Sequence, residues 1–137
     1  MDIQEMIFEI KGDEQGSLVP MESLRNIPFD IKRIYYITNT KQGVVRGHHA
    51  HRELKQVLVC VHGSCKISLD DGTEKKEVVL DQYNKGIYLD SVLWRTMYDF
   101  SPDAVLLVLA STLYDDSDYI RDYDEFLSYI KTINGED

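Results

Sequence analysis

Residues 43–63 read GVVRGHHAHRELKQVLVCVHG. Two histidines, His49 and His51, stand at i and i+2 in a segment of strand-like composition. Side chains alternate between faces along a strand, so both imidazoles point the same way. If that face is the inside of a barrel, the two rings share a pocket at its mouth. Imidazoles titrate near neutral pH, so two aimed at one small volume make a proton-transfer site or half of a metal site.

The sequence on either side of this stretch is also strand-like. Ile3–Ile10 alternates and ends at Gly12, and Gly16–Pro20 reads as a turn followed by a short strand. Ile27-Pro28-Phe29 is extended, because a residue before proline avoids the helical region. Ile31–Thr38 is rich in β-branched and aromatic residues, and a turn at Lys41–Val44 leads into the strand Val45–His51. Lys55–Val61 is a near-continuous apolar run. Cys65–Leu69 and Glu77–Leu80 form a hairpin whose Asp71-Gly72 corner suits positive φ. Gly86–Leu89, Val92–Met97 and Ala104–Leu109 supply three more strands. Short strands punctuated by Gly, Pro, Asn and Asp indicate an all-β sandwich or barrel.

Only the tail changes period. From Asp118 the apolar residues fall at 119, 120, 123, 126, 127 and 130, which predicts a helix over about 118–133 on the barrel exterior. The expectation is one domain over 1–137, with the barrel ending near residue 115.

The 137 residues are one domain's worth, and 43% hydrophobic with 28% charged is ordinary for a globular chain. No apolar run approaches the roughly 20 residues of a membrane helix. The acidic N-terminus has no signal-peptide pattern, so the cytoplasm is expected. A net charge of −9 argues against nucleic acid and anionic membranes as partners, while a few local arginines can still hold a phosphorylated ligand. Cys60 and Cys65, in strand contexts, are expected as reduced thiols.

The glycine-framed spacing is specific. Gly43, five residues, His49-Ala50-His51, four residues, Gln56, six residues and Gly63 resemble the first signature of the cupin superfamily, Gly-x5-His-x-His-x4-Glu-x6-Gly. A cupin-type β-barrel, or jelly roll, is therefore expected. Gln56 stands where that pattern has glutamate. In the loosely matching second signature from Gly86, Val92, Trp94 and Met97 stand where proline, glycine and histidine belong. Metal-binding cupins use three histidines and a glutamate, so two ligands of four would remain here, with an amide and a thioether in the other places. That set is poor for iron, manganese or zinc, and no metal is expected. His48, on the opposite strand face, and His62, at a turn, read as ordinary surface histidines.

Beyond that frame, PFDIKRIYYI at 28–37, RGHHAH at 46–51, QVLVCVHGSCKISLDDG at 56–72 and LYDDSDYIRDYDEF at 113–126 resemble the sugar 3,4-ketoisomerases that act on dTDP-4-keto-6-deoxyglucose. In that family the Arg-Gly-x-His-Ala-His string is catalytic and no metal or other cofactor is used. The resemblance implies movement of a carbonyl from C4 to C3 through an enediolate. It implies His49 as principal base with His51 as partner or second shuttle, although the reverse assignment stays open. Arg46 and Arg33 are candidates for the enediolate or diphosphate, with Tyr35 on the strand face of Arg33. Arg95 is expected to face the pocket. For Tyr36 and Tyr83 thymine stacking competes with a core or surface role, and Tyr83 is carried as a substrate-binding candidate.

Members of the galacto branch tend to carry arginine before the Gly-Ser-Leu segment and histidine near Trp94, whereas Gln15 and Arg95 stand here, which leans toward a gluco product. A downstream aminotransferase making a 3-amino-3,6-dideoxy sugar is implied. The alternatives are a sugar-nucleotide 3,5-epimerase of the same barrel type, a non-catalytic nucleotide-sugar-binding cupin, and a metal-dependent dioxygenase. The family also resembles homodimers that exchange N-terminal strands, and the segment Ile3–Ile10 is compatible with that.

Overall fold

A computed structural model describes residues 1–135; the last two positions of the expected 1–137 domain lie outside them. Two five-stranded sheets face one another. The first runs in the order β1 (Gln4–Ile7), β9 (Lys85–Leu89), β6 (Gln56–His62), β11 (Val105–Ala110), β4 (Arg33–Ile37). The second runs β12 (Tyr119–Ile120), β5 (Arg46–His51), β10 (Trp94–Tyr98), β7 (Cys65–Asp70), β8 (Lys75–Leu80). All strand pairs within them are antiparallel. A separate hairpin, β2 (Lys11–Asp13) with β3 (Gly16–Leu18), stands exposed along its length. The expected jelly-roll barrel is formed.

The apolar run in β6 follows from burial on both faces. Leu58 and Cys60 point between the sheets with Ile67, Leu69, Leu80, Ile87, Leu106 and Val108. Val57 and Val59 point outward, where Phe8, Ile27 and Phe29 cover them. A strand sealed on two sides has no reason to alternate. Cys60 and Cys65 are buried and free. The β7–β8 turn places Gly72 at φ +95°, with its N–H bonded to the Asp70 carboxylate at 2.8 Å.

The tail departs from expectation at its start. Residues 118–122 are not α-helical: a 3-10 turn covers Asp116–Asp118, Tyr119–Ile120 pairs with His51 and Ala50 of β5, and the helix α1 begins at Tyr123 and ends at Ile133. Tyr119 and Ile120 fit the helical spacing by coincidence. Ile120 is drawn into a fully buried layer with Ala50 and Phe126, and Arg52 Nη1 donates to the carbonyls of Ser117 and Tyr119 at 2.9 and 2.8 Å. Strand pairing and that clamp outweigh local helical periodicity. The helix itself packs on the outer face of the second sheet, with Trp94 edge-on to Tyr123 and the Tyr123 hydroxyl on Asp70 at 2.6 Å.

The first strand forms one edge of the first sheet and pairs on its other side within the chain. Gln4–Ile7 pairs with β9 of its own chain, and Phe8 is buried in the outer cluster. The N-terminal segment without packing is the hairpin at residues 11–18. Among the described residues no helix is long and apolar enough to cross a membrane.

Candidate active site

The histidine strand carries an irregularity that builds the site. Arg95 of β10 faces His49, yet the next residue, Thr96, faces Gly47, so His48 is an extra residue in β5. Gly47 at φ +93° and His48 at φ +55° make this bulge. A regular strand would turn Arg46 and His49 to opposite faces, three positions apart. The bulge puts both in one cavity and sends His48 to the other side of the sheet, beside Trp94 and Tyr123.

That cavity, about 460 Å³, lies at the barrel mouth and is lined by Arg33, Tyr35, Tyr36, Ile37, Arg46, Gly47, His49, Met97 and Tyr119. Its volume suits a small ligand. The rings of His49 and His51 meet edge to face with centroids 4.8 Å apart, and Tyr119 packs on both, at 5.1 and 4.4 Å.

His51 is buried, and its Nδ1 lies 3.0 Å from Asp118 Oδ2. The other Asp118 oxygen accepts the Glu53 N–H at 2.7 Å. A carboxylate can only accept, so the proton sits on Nδ1 and Nε2 presents its lone pair. Nε2 is buried and has no partner among the described residues. Burial, and then the Arg95 cation, push the basicity of both rings down; His49 falls to about 4 and His51 falls further. Both imidazoles are therefore neutral at neutral pH, in the form that can take a proton.

Beneath the cavity sits Arg95, 1% exposed. Its Nη1 donates to Gln56 Oε1 at 2.5 Å, and Nε and Nη2 donate to the Leu93 carbonyl at 3.3 and 3.1 Å. Gln56 Nε2 lies 3.1 Å from the Tyr35 hydroxyl oxygen. Burial raises the Tyr35 hydroxyl above its ordinary value. Arg33 lies over Tyr35 and Tyr114 at 5.2 and 5.6 Å, and its buried Nε has no partner among the described residues. Arg121 stacks on Tyr119 at 4.2 Å. A chain of net charge −9 thus concentrates guanidinium groups around one opening.

Of the residues nominated from sequence, the structure brings together His49, His51, Arg33, Tyr35 and Arg46. Arg95 belongs to the group from below, through Gln56, and does not line the cavity. Tyr83 is separate: it is 46% exposed and lines an apolar groove with Val19, Met21, Ile31, Ile34 and Leu107 on the outer face of the first sheet. Its placement after Asp81-Gln82 in the β8–β9 connection turns it away from the mouth. Asp118, Tyr119 and Arg121 carry no role in the sequence reading. They lie in the segment 113–126 that carries the resemblance, but helical periodicity hid their strand pairing.

The donor set of a metal-binding cupin is not assembled. Gln56 Oε1 is engaged by a cation and His51 Nδ1 by Asp118, and among the described residues no group of three His, Cys, Asp or Glu is disposed around one point. His62 pairs with Asp103 on the surface at 3.2 Å.

The family model described as FdtA: WxcM-like, C-terminal, matches residues 1–131. A TDP-4-oxo-6-deoxy-alpha-D-glucose-3,4-oxoisomerase from Aneurinibacillus thermoaerophilus is 53% identical over 124 residues, covering 90% of this chain and 89% of that one. A 3,4-ketoisomerase from Helicobacter canadensis superposes with a TM-score of 0.92 at 50% identity, covering 96% and 98% of the two chains. The 3,4-ketoisomerase QdtA from Thermoanaerobacterium thermosaccharolyticum, solved in complex with TDP, superposes with a TM-score of 0.93 at 44% identity, covering 96% of each. With residues 1–131 matched by the family model and nine-tenths of its length by a curated relative, the chain belongs to the FdtA/WxcM-like family of sugar 3,4-ketoisomerases.

Proposed function

We propose that the protein isomerises dTDP-4-keto-6-deoxyglucose, moving the carbonyl from C4 to C3. The observation that carries this reading is the pair of neutral imidazoles with ring centroids 4.8 Å apart, His49 lining an arginine-rimmed cavity and His51 packed behind it with a buried Nε2 that has no partner among the described residues. The reaction is redox-neutral within the sugar, so it calls for proton carriers rather than a cofactor.

His49, which lines the cavity, takes the C3 proton, acidified by the adjacent ketone. The electron pair moves into the ring and places negative charge on the C4 oxygen. His51, locked by Asp118, uses Nε2 to carry the hydroxyl proton from the C3 oxygen toward the C4 oxygen. A proton from solvent, delivered to C4 on the ring face opposite His49, then leaves the ketone at C3 while His49 yields its proton to solvent. The C3 and C4 hydrogens of a gluco sugar lie on opposite faces, so return by His49 itself would give the galacto configuration. Tyr35 donates to the C4 oxygen as charge develops there. Arg33, Arg46 and Arg121 hold the diphosphate, where a guanidinium fork matches phosphate oxygens. Arg95 and Gln15 support the gluco configuration at C4. The 3-keto product would suit an aminotransferase making a 3-amino-3,6-dideoxy sugar, and a nucleotide-sugar substrate places the work in the cytoplasm.

The same reading includes a homodimer. The unpacked hairpin 11–18, with Leu18 59% exposed, and the nearby apolar groove support exchange of N-terminal segments between copies. A monomeric mass by light scattering at micromolar concentration would remove it.

The test is to incubate chelator-treated protein with dTDP-4-keto-6-deoxyglucose in deuterated water and follow the sugar by NMR. Loss of the C3 proton with a new C3 ketone is expected, and the coupling at C4 separates gluco from galacto. Exchange at C3 and C5 with the C4 ketone retained would make the protein an epimerase. No exchange would leave a binding module.

A further inference from the structure

A buried phenol can give its one proton or receive another, and its neighbours decide which. Here the decision starts at Arg95. A guanidinium has donors only, so the Gln56 atom 2.5 Å from Arg95 Nη1 must be the amide oxygen. The amide nitrogen then has no choice but to face Tyr35, 3.1 Å away, and to donate to the phenol oxygen. Among the described residues Tyr35 has no other hydrogen-bond partner. Its own proton is therefore unspent inside the barrel, and the ring borders the cavity that holds His49 and Tyr119.

We propose that Gln56 is a positioning residue that fixes the direction of the Arg95–Gln56–Tyr35 chain, so that the Tyr35 hydroxyl donates outward to the C4 oxygen of the sugar. This rests on the isomerase reading and deepens it. The amide at 56 is essential to the polarity. A carboxylate there, as in the metal-binding cupin signature, would accept from Arg95 just as well. It would also accept from Tyr35, turning the hydroxyl proton back toward the floor and leaving only a lone pair for the sugar oxygen. Charge developing on that oxygen would then meet an acceptor instead of a donor. The substitution of one side-chain atom thus separates a donor site from a metal-ligand site on the same scaffold.

The test compares wild type, Gln56→Glu, Tyr35→Phe and the double variant on dTDP-4-keto-6-deoxyglucose, with TDP affinity measured by calorimetry. Gln56→Glu is expected to lower kcat about tenfold or more while TDP affinity stays within about twofold, since only the reacting oxygen loses its donor. The double variant is expected to match Tyr35→Phe within about twofold, because the two changes remove the same interaction. Losses that multiply, or a Gln56→Glu enzyme as active as wild type, overturn the proposal. If Gln56→Glu does not fold, Gln56→Met serves: it cannot accept strongly from Tyr35, so its kcat is expected to exceed that of Tyr35→Phe, and a kcat at or below it overturns the proposal. Turnover by wild type keeps the isomerase reading in either case, whereas no wild-type turnover removes that reading and this one with it.

Discussion

His51 Nδ1 lies 3.0 Å from Asp118 Oδ2, a contact made across 67 positions of sequence. It fixes the tautomer and so decides which ring nitrogen is free to carry a proton in the proposed reaction. In Asp118→Asn the amide nitrogen can face Nδ1, which then must accept, moving the ring proton to Nε2. Turnover is expected to fall about 100-fold or more, as for loss of a positioned proton carrier. TDP affinity is expected to hold within about twofold, and the nitrogen shifts of His51 in NMR would report the reversed tautomer. Unchanged turnover would remove Asp118 from the mechanism.

The pH dependence follows from neutral, buried rings. The bases work only when unprotonated, so the acid limb of kcat/KM is expected near pH 4, well below the ordinary histidine value of 6.5. Stability moves in the same direction. Between 6.5 and about 4 the unfolded chain binds protons that the folded rings refuse, so stability is complete above 6.5 and declines as pH falls through that window. A rise in stability on acidification across it would contradict this sign.

Arg95→Met removes the largest charge acting on both histidines. The acid limb is expected to move to higher pH, and chemical denaturation should register a loss of about 1–3 kcal/mol from the unpaired Gln56 oxygen. An acid limb that stays in place would show that burial alone sets the basicity.

Arg33 offers a buried Nε with no partner among the described residues. Arg33→Met keeps the stem on Tyr35 and Tyr114 and deletes the charge. TDP affinity is expected to weaken about 10- to 100-fold, the scale of one charge-assisted hydrogen bond, with kcat at saturation little changed. A fall in kcat at unchanged affinity would place Arg33 at the sugar instead.

Gly47 holds the bulge. A Cβ there would sit 2.8 Å from the Arg95 carbonyl oxygen and 3.1 Å from Met97 Cε, at φ +93°. Gly47→Ala is expected to cost about 1–3 kcal/mol in thermal unfolding and to lower turnover by displacing His49. Wild-type melting with wild-type turnover would show that the bulge is not constrained.

The local determinants were present in the chain itself. Alternation and turn residues set the strands, because period two and positive-φ glycines are properties of neighbouring residues. His49 and His51 share a face for the same reason, as do Arg33 and Tyr35. The change from glutamate to Gln56 was also visible, though not what an amide would do there. Tertiary structure decided the rest. Bulging at Gly47-His48 turned Arg46 toward the histidines, and pairing with β5 pulled Tyr119 and Ile120 out of a helix that their spacing suggested. Asp118 reached His51, Arg95 was sealed below the cavity, and Tyr83 was left on the outer face. Each of these depends on which distant strand lies alongside, and hydrophobic periodicity carries no information about that pairing.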